Sequence, residues 1–240
     1  MNLITETAAW LTDPAQWTGP GDIPQRLLEH LGLSAVSLLV ALAIALPAGL
    51  FIGHTRRGTA LAANLANIGR AIPSLAVIGI VLPFTAAIDP QLGFKVYPTL
   101  VAMVILAIPP ILVNAEAGVI GVDRDLVESA RAMGMGETQV LRSVEVPVAV
   151  PVILTGIRSA ATQIVATMTL GAIFGSGGLG RFLVEGIAQN DDGKIFGGVV
   201  LVASLALITE ALFALLQRAS TSEGLRRPEA NRRAIASVRP

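Results

Sequence analysis

The chain has 240 residues, of which 53% are hydrophobic and 14% are charged, and its mean hydropathy is +0.69. This composition lies outside the range of soluble domains and indicates a membrane protein. The net charge of zero argues against a nucleic-acid-binding protein, and the lack of cysteine excludes disulfides and thiolate metal sites. The two histidines, His30 and His54, form no ligand cluster, so we expect no catalytic residue, no metal site and no cofactor bound by this chain.

The first 30 residues precede the first long apolar segment. They lack the basic stretch and apolar run of a cleavable signal peptide, so membrane insertion depends on internal spans. We predict an extracytoplasmic arm over residues 1–30, in which Trp10 and Trp17 suit anchors at the membrane interface.

Five segments are long enough to cross the membrane, since about 20 apolar residues in a helix span about 30 Å of hydrocarbon. They predict an all-α membrane protein whose transmembrane domain covers residues 31–217. Four prolines within or near the spans favour kinks, and two pairs of glycines have the G-x-x-x-G spacing of closely packed helices. The spans are Leu31–Gly53, roughly Leu61–Phe84, about Pro98–Gly118, about Val148–Phe174 and about Ile195–Leu216. The prolines are Pro73, Pro83, Pro109 and Pro110, and the glycine pairs are Gly49 with Gly53 and Gly171 with Gly175.

Basic residues in the connections indicate the orientation, because lysine and arginine are retained on the cytoplasmic side. With the N-terminus outside, eleven basic residues fall in cytoplasmic segments and four in outer segments. We therefore expect the C-terminus in the cytoplasm, with a basic and disordered tail over residues 218–240. The segment between the third and fourth spans then also faces the cytoplasm.

That segment, residues 121–147, has the pattern of two short helices joined by a turn. Asp123 is a plausible N-cap, Gly134 ends the first helix and Gly136 keeps the turn tight. A second helix is predicted over Thr138–Val146, stopped by Pro147. The pair is too short and too charged to span a membrane, so it either lies on the lipid surface or docks a soluble partner. The apolar residues predicted on one face of the first helix are Leu126, Val127, Ala130 and Met133.

Glu128, Ala130 and Gly134, followed by VEVP at Val144–Pro147, resemble the EAA loop of permease subunits of bacterial ABC importers. Ser129 stands where that motif has its middle alanine. The resemblance extends over nearly the whole chain and includes HLGLSAVSLLVALAIALPAG, IPSLAVIG and GSGGLGRFLVEGI. The segments PPILVNAEAGVIGVDRDLVESARAMGM and ILTGIRSA are most similar to the importers of glycine betaine, choline and carnitine, and next to the methionine type.

The resemblance implies that residues 121–147 form a coupling loop that seats in a groove of a separate ATP-binding subunit. It further implies a second permease subunit, identical or related, an extracytoplasmic substrate-binding protein, and location in the bacterial plasma membrane. Ionic contacts would come from Glu128 and Arg131, close approach from Ala130, and the chain reversal from Gly134. The coupling residues implied are Glu128, Ser129, Ala130, Arg131, Gly134, Gly136 and Pro147.

A glycine-rich stretch before the last span satisfies the G-x-G-x-x-G pattern of dinucleotide-binding proteins, but it follows a membrane span instead of a β-strand. We interpret it as a tight external turn, followed by a short amphipathic piece over Arg181–Ala188. The chain has no G-x-x-x-x-G-K-[ST] sequence, so ATP must be used by a partner subunit and this chain is not itself an enzyme. The turn glycines are Gly175, Gly177, Gly178 and Gly180.

Four ionisable residues lie at membrane depth, where they require a cavity, a partner or access to the interface. They are either interhelical ion pairs near the inner leaflet or the polar lining of a vestibule, which Asn114 would join. The four are Arg70, Glu116, Arg158 and Glu210, and the candidates for lining the pathway are Asn114, Glu116 and Arg158.

Three other functions stay open at this stage. An ion-coupled secondary transporter would show paired internal repeats, which are not evident, and a membrane scaffold would carry no solute. An intramembrane enzyme would need a nucleophile, base or metal constellation. Because aromatic residues are few and quaternary ammonium ions are held by aromatic cages, we expect high-affinity selection to belong to the binding protein.

Overall fold

The computed structural model describes residues 2–220, with Arg70 described by its backbone alone, so the predicted tail lies outside the described residues from 221 onward. The described residues form helices and no β-strand, which confirms the all-α fold. Eleven α-helices occur in this range, with 3-10 segments at Pro14–Gln16 and Met168–Phe174 and a π-helical turn at Leu141–Glu145. They are α1 Leu3–Thr12, α2 Ile23–Thr55, α3 Thr59–Ala71, α4 Ser74–Ile88, α5 Leu92–Lys95, α6 Tyr97–Ile120, α7 Arg124–Ala132, α8 Glu137–Val140, α9 Val146–Thr167, α10 Gly180–Gln189 and α11 Asp192–Ser220.

Four continuous helical stretches in the described part of the chain are long and apolar enough to cross a membrane. They are Ile23–Thr55, Tyr97–Ile120, Glu137–Phe174 and Asp192–Ser220. A fifth crossing exists if α3 and α4 are counted together, although they meet at an angle of 97°.

Contacts between the long helices fix their relative directions. A Cβ at Gly49 would lie 2.7 Å from Ala115 Cβ, and one at Gly53 would lie 2.8 Å from Val119 Cβ, so α2 and α6 run parallel. α9 runs antiparallel to α6, since Gly156 lies against Asn114 while Ala149 lies against Gly118. α11 in turn runs antiparallel to α9, because Arg158 bonds to Glu210 and Gln217 bonds to the carbonyl of Pro151.

Parallel α2 and α6 require the chain between them to return across the bundle. The bent pair α3 and α4 therefore makes a crossing, which gives five in all and places the two ends of the described chain on opposite sides. We call the two sides the His30 end and the His54 end, after residues near the two ends of α2. The segment 121–147, hereafter loop 121–147, lies at the His54 end.

The second span, predicted over roughly Leu61–Phe84 with a kink favoured at Pro73, is a sharply bent pair of helices in the structure. It breaks at Pro73, which precedes α4 with an extended backbone, because a proline disfavours helical geometry in the residue before it. Pro83, Pro109 and Pro110 lie inside α4 and α6, and neither helix ends at them.

Pro147 does not stop a short helix as predicted. α8 passes through the π-helical turn directly into α9, with Pro147 in the first turn of α9. The Val146 N–H bonds to the Leu141 carbonyl, the wider spacing of a π turn. Pro147 lies where the helix changes from π to α spacing, so its missing N–H falls at a point where the regular hydrogen-bond pattern is already interrupted.

The glycine pairs behave differently from one another. Gly49 and Gly53 both allow α2 to approach α6, as predicted for a packing interface. Gly171 packs directly against Thr99, whereas Gly175 has a φ of +88° and serves the turn that follows. The second pair is therefore not a helix-packing motif.

The N-terminal arm packs against the protein, with α1 lying on α11. Trp10 is 8% exposed and meets Phe182 edge to face at a centroid distance of 5.1 Å. A membrane-anchoring role for Trp10 is therefore wrong, because its ring fills a protein core. Trp17 remains exposed, and its indole N–H donates to the carbonyl of Leu11 at 2.8 Å.

Candidate functional site

Loop 121–147 begins as predicted, because the Asp123 side chain accepts the Asp125 N–H at 3.0 Å and caps α7. Of the predicted apolar face, Val127 and Ala130 are buried, in a cluster with Val122 and Val140. The other two predicted members of that face are exposed, Leu126 at 45% and Met133 at 77%. The loop thus has a core of its own and leaves two apolar side chains uncovered.

The turn of the loop depends on one glycine. Gly134 has a φ of +87°, which favours glycine, and its N–H bonds to the Arg131 carbonyl while the Met135 N–H bonds to the Ala130 carbonyl. Gly134 therefore ends α7 as predicted. Gly136 has extended backbone angles that any residue adopts and no atom near a built Cβ, so the turn does not require glycine there.

Some polar residues of the loop form hydrogen bonds within the loop, and others are exposed beside a cavity. The Ser129 hydroxyl donates to the Asp125 carbonyl at 2.7 Å within α7. Arg131 forms a two-point contact with Glu137, at 3.0 Å from Nε and 2.8 Å from Nη2, and this hydrogen bond raises the pKa of Arg131 above its ordinary value. Glu128 is exposed and lines a cavity of about 300 Å³ that also touches Arg56.

A four-residue group, the His54 cluster of His54, Arg131, Glu137 and Glu145, joins the loop to the end of α2. The His54 ring places Nδ1 2.5 Å from Glu145 Oε2 and Nε2 3.1 Å from Glu137 Oε2. The side chains of His54 and Glu145 are 12% and 7% exposed. The sequence gives no signal for this group, because the two glutamates lie far from His54 along the chain.

Two of the ionisable groups at membrane depth pair with each other in the structure, and Glu116 is not part of that pair. Arg158 pairs with Glu210, with Nε 2.6 Å from Oε1, and Thr162 donates to the other Glu210 oxygen at 3.0 Å. This is the interhelical ion pair that the sequence left as one of two readings. It also lines an open cavity of about 590 Å³ between α9 and α11. Glu116 is buried, and its Oε1 has no hydrogen-bond partner among the residues that the structure describes.

Beside the cavity at Arg158 lies a smaller one, of about 220 Å³, between α3, α6 and α9. Its polar lining consists of Asn114, Ser159 and Gln163. Ser159 and Gln163 also line the cavity beside Arg158, so the two cavities adjoin. Asn114 lines one of these two cavities, while Glu116 lines neither. Ser159 and Gln163 were missed because neutral polar residues on an apolar helix give a weak signal.

The glycine turn, residues 175–180, is a tight turn as predicted, with φ of +88° at Gly175 and +89° at Gly178. It follows a 3-10 segment and precedes α10, and no β-strand lies in the described residues, so the geometry of a dinucleotide site is not formed. The Gly178 N–H donates to Glu29 Oε2 at 2.9 Å. A Cβ at Gly177 would overlap the Glu29 carboxylate, so the turn is fitted against the start of α2.

His30 completes the contact between α2 and the glycine turn. Its ring is fully buried; Nδ1 accepts the Leu179 N–H at 3.3 Å, and Nε2 lies 2.9 Å from the Val165 carbonyl. Because Nδ1 accepts, the ring proton must be on Nε2, which donates to Val165, and the imidazole is neutral. His30 thus joins α2, α9 and the turn through backbone groups.

Ion pairs surround the turn at the His30 end. Glu185 on α10 lies 3.0 Å from Arg181 and 2.9 Å from Lys194, and 3.9 Å from Arg26. Burial alone would raise the pKa of the Glu185 carboxyl, but the hydrogen bond and charge of Lys194, with those of Arg181, outweigh burial and lower it.

Sequence and structure comparisons place these features among known proteins. The family model described as "binding-protein-dependent transport system inner membrane component" matches residues 45–222. The chain is 31% identical over 208 residues to the glycine betaine/carnitine/choline transport system permease protein OpuCB of Bacillus subtilis, which covers 87% of this chain and 93% of the relative. It is 33% identical over 198 residues to the carnitine transport permease protein OpuCB of Listeria monocytogenes, covering 82% and 88%.

A solved structure of the MetNI methionine ABC transporter, in an inward-facing conformation, has the same fold. Its TM-score is 0.74 at 25% identity, and the match covers 88% of this chain and 100% of that one.

Proposed function

Because the chain belongs to the family of binding-protein-dependent transport system inner membrane components, we propose that it is the permease subunit of an ATP-driven ABC importer of osmoprotectants such as glycine betaine, choline or carnitine. The observation that carries the substrate class is the similarity, over more than four fifths of the chain, to permeases whose names state those solutes. A methionine importer is the second candidate, because the methionine transporter has the same fold.

In this proposal ATP is hydrolysed by a separate subunit that contacts loop 121–147. Leu126 on α7 and Met133 at its C-terminal cap are exposed apolar side chains of the loop, and methionine is enriched in protein interfaces. Glu128 and Arg131 supply charges beside them. Ala130 does not contact the partner, because it is buried within the loop. The N-terminus lies outside, the C-terminus lies in the cytoplasm, and a binding protein delivers the solute at the His30 end.

The translocation pathway follows the polar faces of α6 and α9. Asn114, Ser159 and Gln163 offer amide and hydroxyl groups to the solute. The Arg158–Glu210 pair adds no net charge, so a zwitterion meets no fixed charge of one sign along this face. A second permease subunit closes the pathway, because a half-exposed ion pair at membrane depth is unfavourable against lipid.

Uptake into proteoliposomes tests the proposal. The chain is reconstituted with its ATP-binding subunit, second permease subunit and binding protein, and labelled glycine betaine is added outside with and without internal ATP. ATP-dependent accumulation supports the osmoprotectant assignment, and competition by choline and carnitine ranks the solutes. Transport of methionine but not betaine would establish the second candidate. Uptake that requires an ion gradient and no ATP would overturn both.

Gln163→Leu tests the pathway. Removing an amide from a polar cavity at membrane depth should lower betaine uptake about tenfold, with a binding-energy loss of about 1.4 kcal/mol. Assembly should be unchanged, as judged by co-purification of the ATP-binding subunit. Gln189→Leu is the matched control, because Gln189 is exposed at the end of α10. Equal uptake by both variants would remove Gln163 from the pathway.

A further inference from the structure

The His54 cluster connects the first span to all parts of loop 121–147 at one point. His54 lies in the last turn of α2, Arg131 in the last turn of α7 and Glu137 at the start of α8. Glu145 lies in the π-helical turn that leads into α9. A displacement of the loop is therefore transmitted through the His54 ring to α2 and, through the close packing at Gly49 and Gly53, to α6.

The geometry suits a charged ring between two ionised carboxylates. An ionised carboxylate only accepts hydrogen bonds, and a neutral imidazole has one N–H, whereas an imidazolium has two. Both His54 nitrogens face carboxylate oxygens, at 2.5 Å and 3.1 Å. With both carboxylates ionised, both contacts are made at once only by the imidazolium. With Arg131 beside Glu137, the two cations balance the two carboxylates.

Solvent reaches this group through the cavity of about 300 Å³ at the His54 end. The other charged groups that line it are Arg56 on the α2 side and Arg124 and Glu128 on α7. When the ring is neutral, one nitrogen lone pair faces a carboxylate lone pair, and the contact to either Glu137 or Glu145 is lost. The loop then has one attachment to α2 where it had two.

We propose that His54 is a positioning residue for coupling, whose doubly bonded ring holds loop 121–147 on the first span, so that solute uptake per ATP hydrolysed falls when the ring has a single N–H. This inference rests on the proposed function. It concerns the efficiency of coupling and leaves ATP binding and solute selection to other groups.

The decisive variant is Glu145→Gln. An amide both donates and accepts, so a neutral His54 ring can bond to the introduced amide and to Glu137 together. In the fully assembled importer, measured from about pH 6 to about pH 9, wild-type uptake per ATP should fall about fivefold when the ring becomes neutral. Glu145→Gln should keep the low-pH ratio throughout, and His54→Ala should have a low ratio at every pH.

Arg57→Gln is the matched control, because Arg57 is an exposed cation in the connection that follows α2 and is not part of the cluster. It should behave as wild type. A pH dependence that persists in Glu145→Gln, or a His54→Ala ratio equal to wild type, would overturn the inference.

A second measurement separates this inference from the proposed function. The chain has no cysteine, so spin labels can be placed at Phe51→Cys on α2 and Gln139→Cys on α8, both exposed positions. In the assembled complex in nanodiscs, the distance distribution should broaden between about pH 6 and about pH 9, and Glu145→Gln should abolish the broadening. An unchanged distribution overturns the role of His54 whatever solute is carried, whereas absent betaine uptake with the expected broadening overturns only the solute.

Discussion

The His30 and His54 ends of the first span are attached to the rest of the protein in opposite ways. At the His30 end, a buried neutral ring bonds to two backbone groups, of Val165 and Leu179. At the His54 end, a partly accessible ring bonds to two carboxylates. The backbone partners, one carbonyl and one N–H, are both bonded by a neutral ring, while two carboxylate partners demand a protonated ring. One residue type on one helix therefore makes its two contacts as a neutral ring at one end and as a charged ring at the other.

Replacing Gly178 or Gly134 by valine should give the largest difference in effect between the two ends. Both glycines have nearly the same φ, +89° and +87°, so both variants carry a strain of about 2 kcal/mol. A Cβ at Gly178 would also lie 3.3 Å from His30 Cα, whereas one at Gly134 meets no atom. We expect Gly178→Val to abolish accumulation in the membrane, and Gly134→Val to insert and assemble but lose uptake, as read by membrane immunoblot and transport assay. Normal uptake by Gly134→Val would exclude a coupling role for the turn.

Alanine at each histidine gives the next largest difference. His30→Ala leaves the Val165 carbonyl and the Leu179 N–H without partners and opens a cavity, which should lower the free energy of unfolding by about 3 kcal/mol. His54→Ala leaves the Glu145 carboxylate without one partner, but both residues line the cavity of about 300 Å³, so water can replace the lost contact and the loss should be smaller, about 1 kcal/mol. Thermal unfolding of the purified importer in detergent measures both. Equal destabilisation would mean that the two ends are not different in kind.

Lowering the pH should slightly reduce the stability that the ion pairs of Glu185 contribute at the His30 end. The folded-state pKa of Glu185 is lowered, so its ion pairs stabilise the fold above the unfolded pKa of about 4.3, and that contribution is lost as the pH falls through the folded pKa. Glu185 stays ionised from about pH 6 to about pH 9, so its ion pairs contribute no change in melting temperature over the range in which coupling is expected to change. Glu185→Gln should reduce stability at neutral pH by less than about 1 kcal/mol and leave the coupling profile unchanged. A coupling profile that is altered in Glu185→Gln would contradict the separation.

The spans and loop 121–147 could be predicted from the sequence because the residues that indicate them are close together in the chain. Apolar length identifies a crossing segment, a side-chain oxygen at Asp123 caps the next turn, and Gly134 is needed where the chain reverses. The mistakes were also local. Pro147 was read as a stop, and Trp10 as a membrane anchor, because neither the π-helical turn nor the Phe182 ring is visible in the neighbouring residues.

The amino-acid sequence by itself determined that the chain is a helical membrane protein, where its crossings fall, and which connection reverses as a helix pair. Only the tertiary structure decided that α2 and α6 run parallel, how sharply the second span bends at Pro73, and which groups meet His30 and His54. Hydropathy, caps and turn residues act over a few neighbours, whereas the partners of the two rings lie 83 to 149 positions away. Contacts at that separation are set by how the helices pack, and that is why the two histidines have different roles.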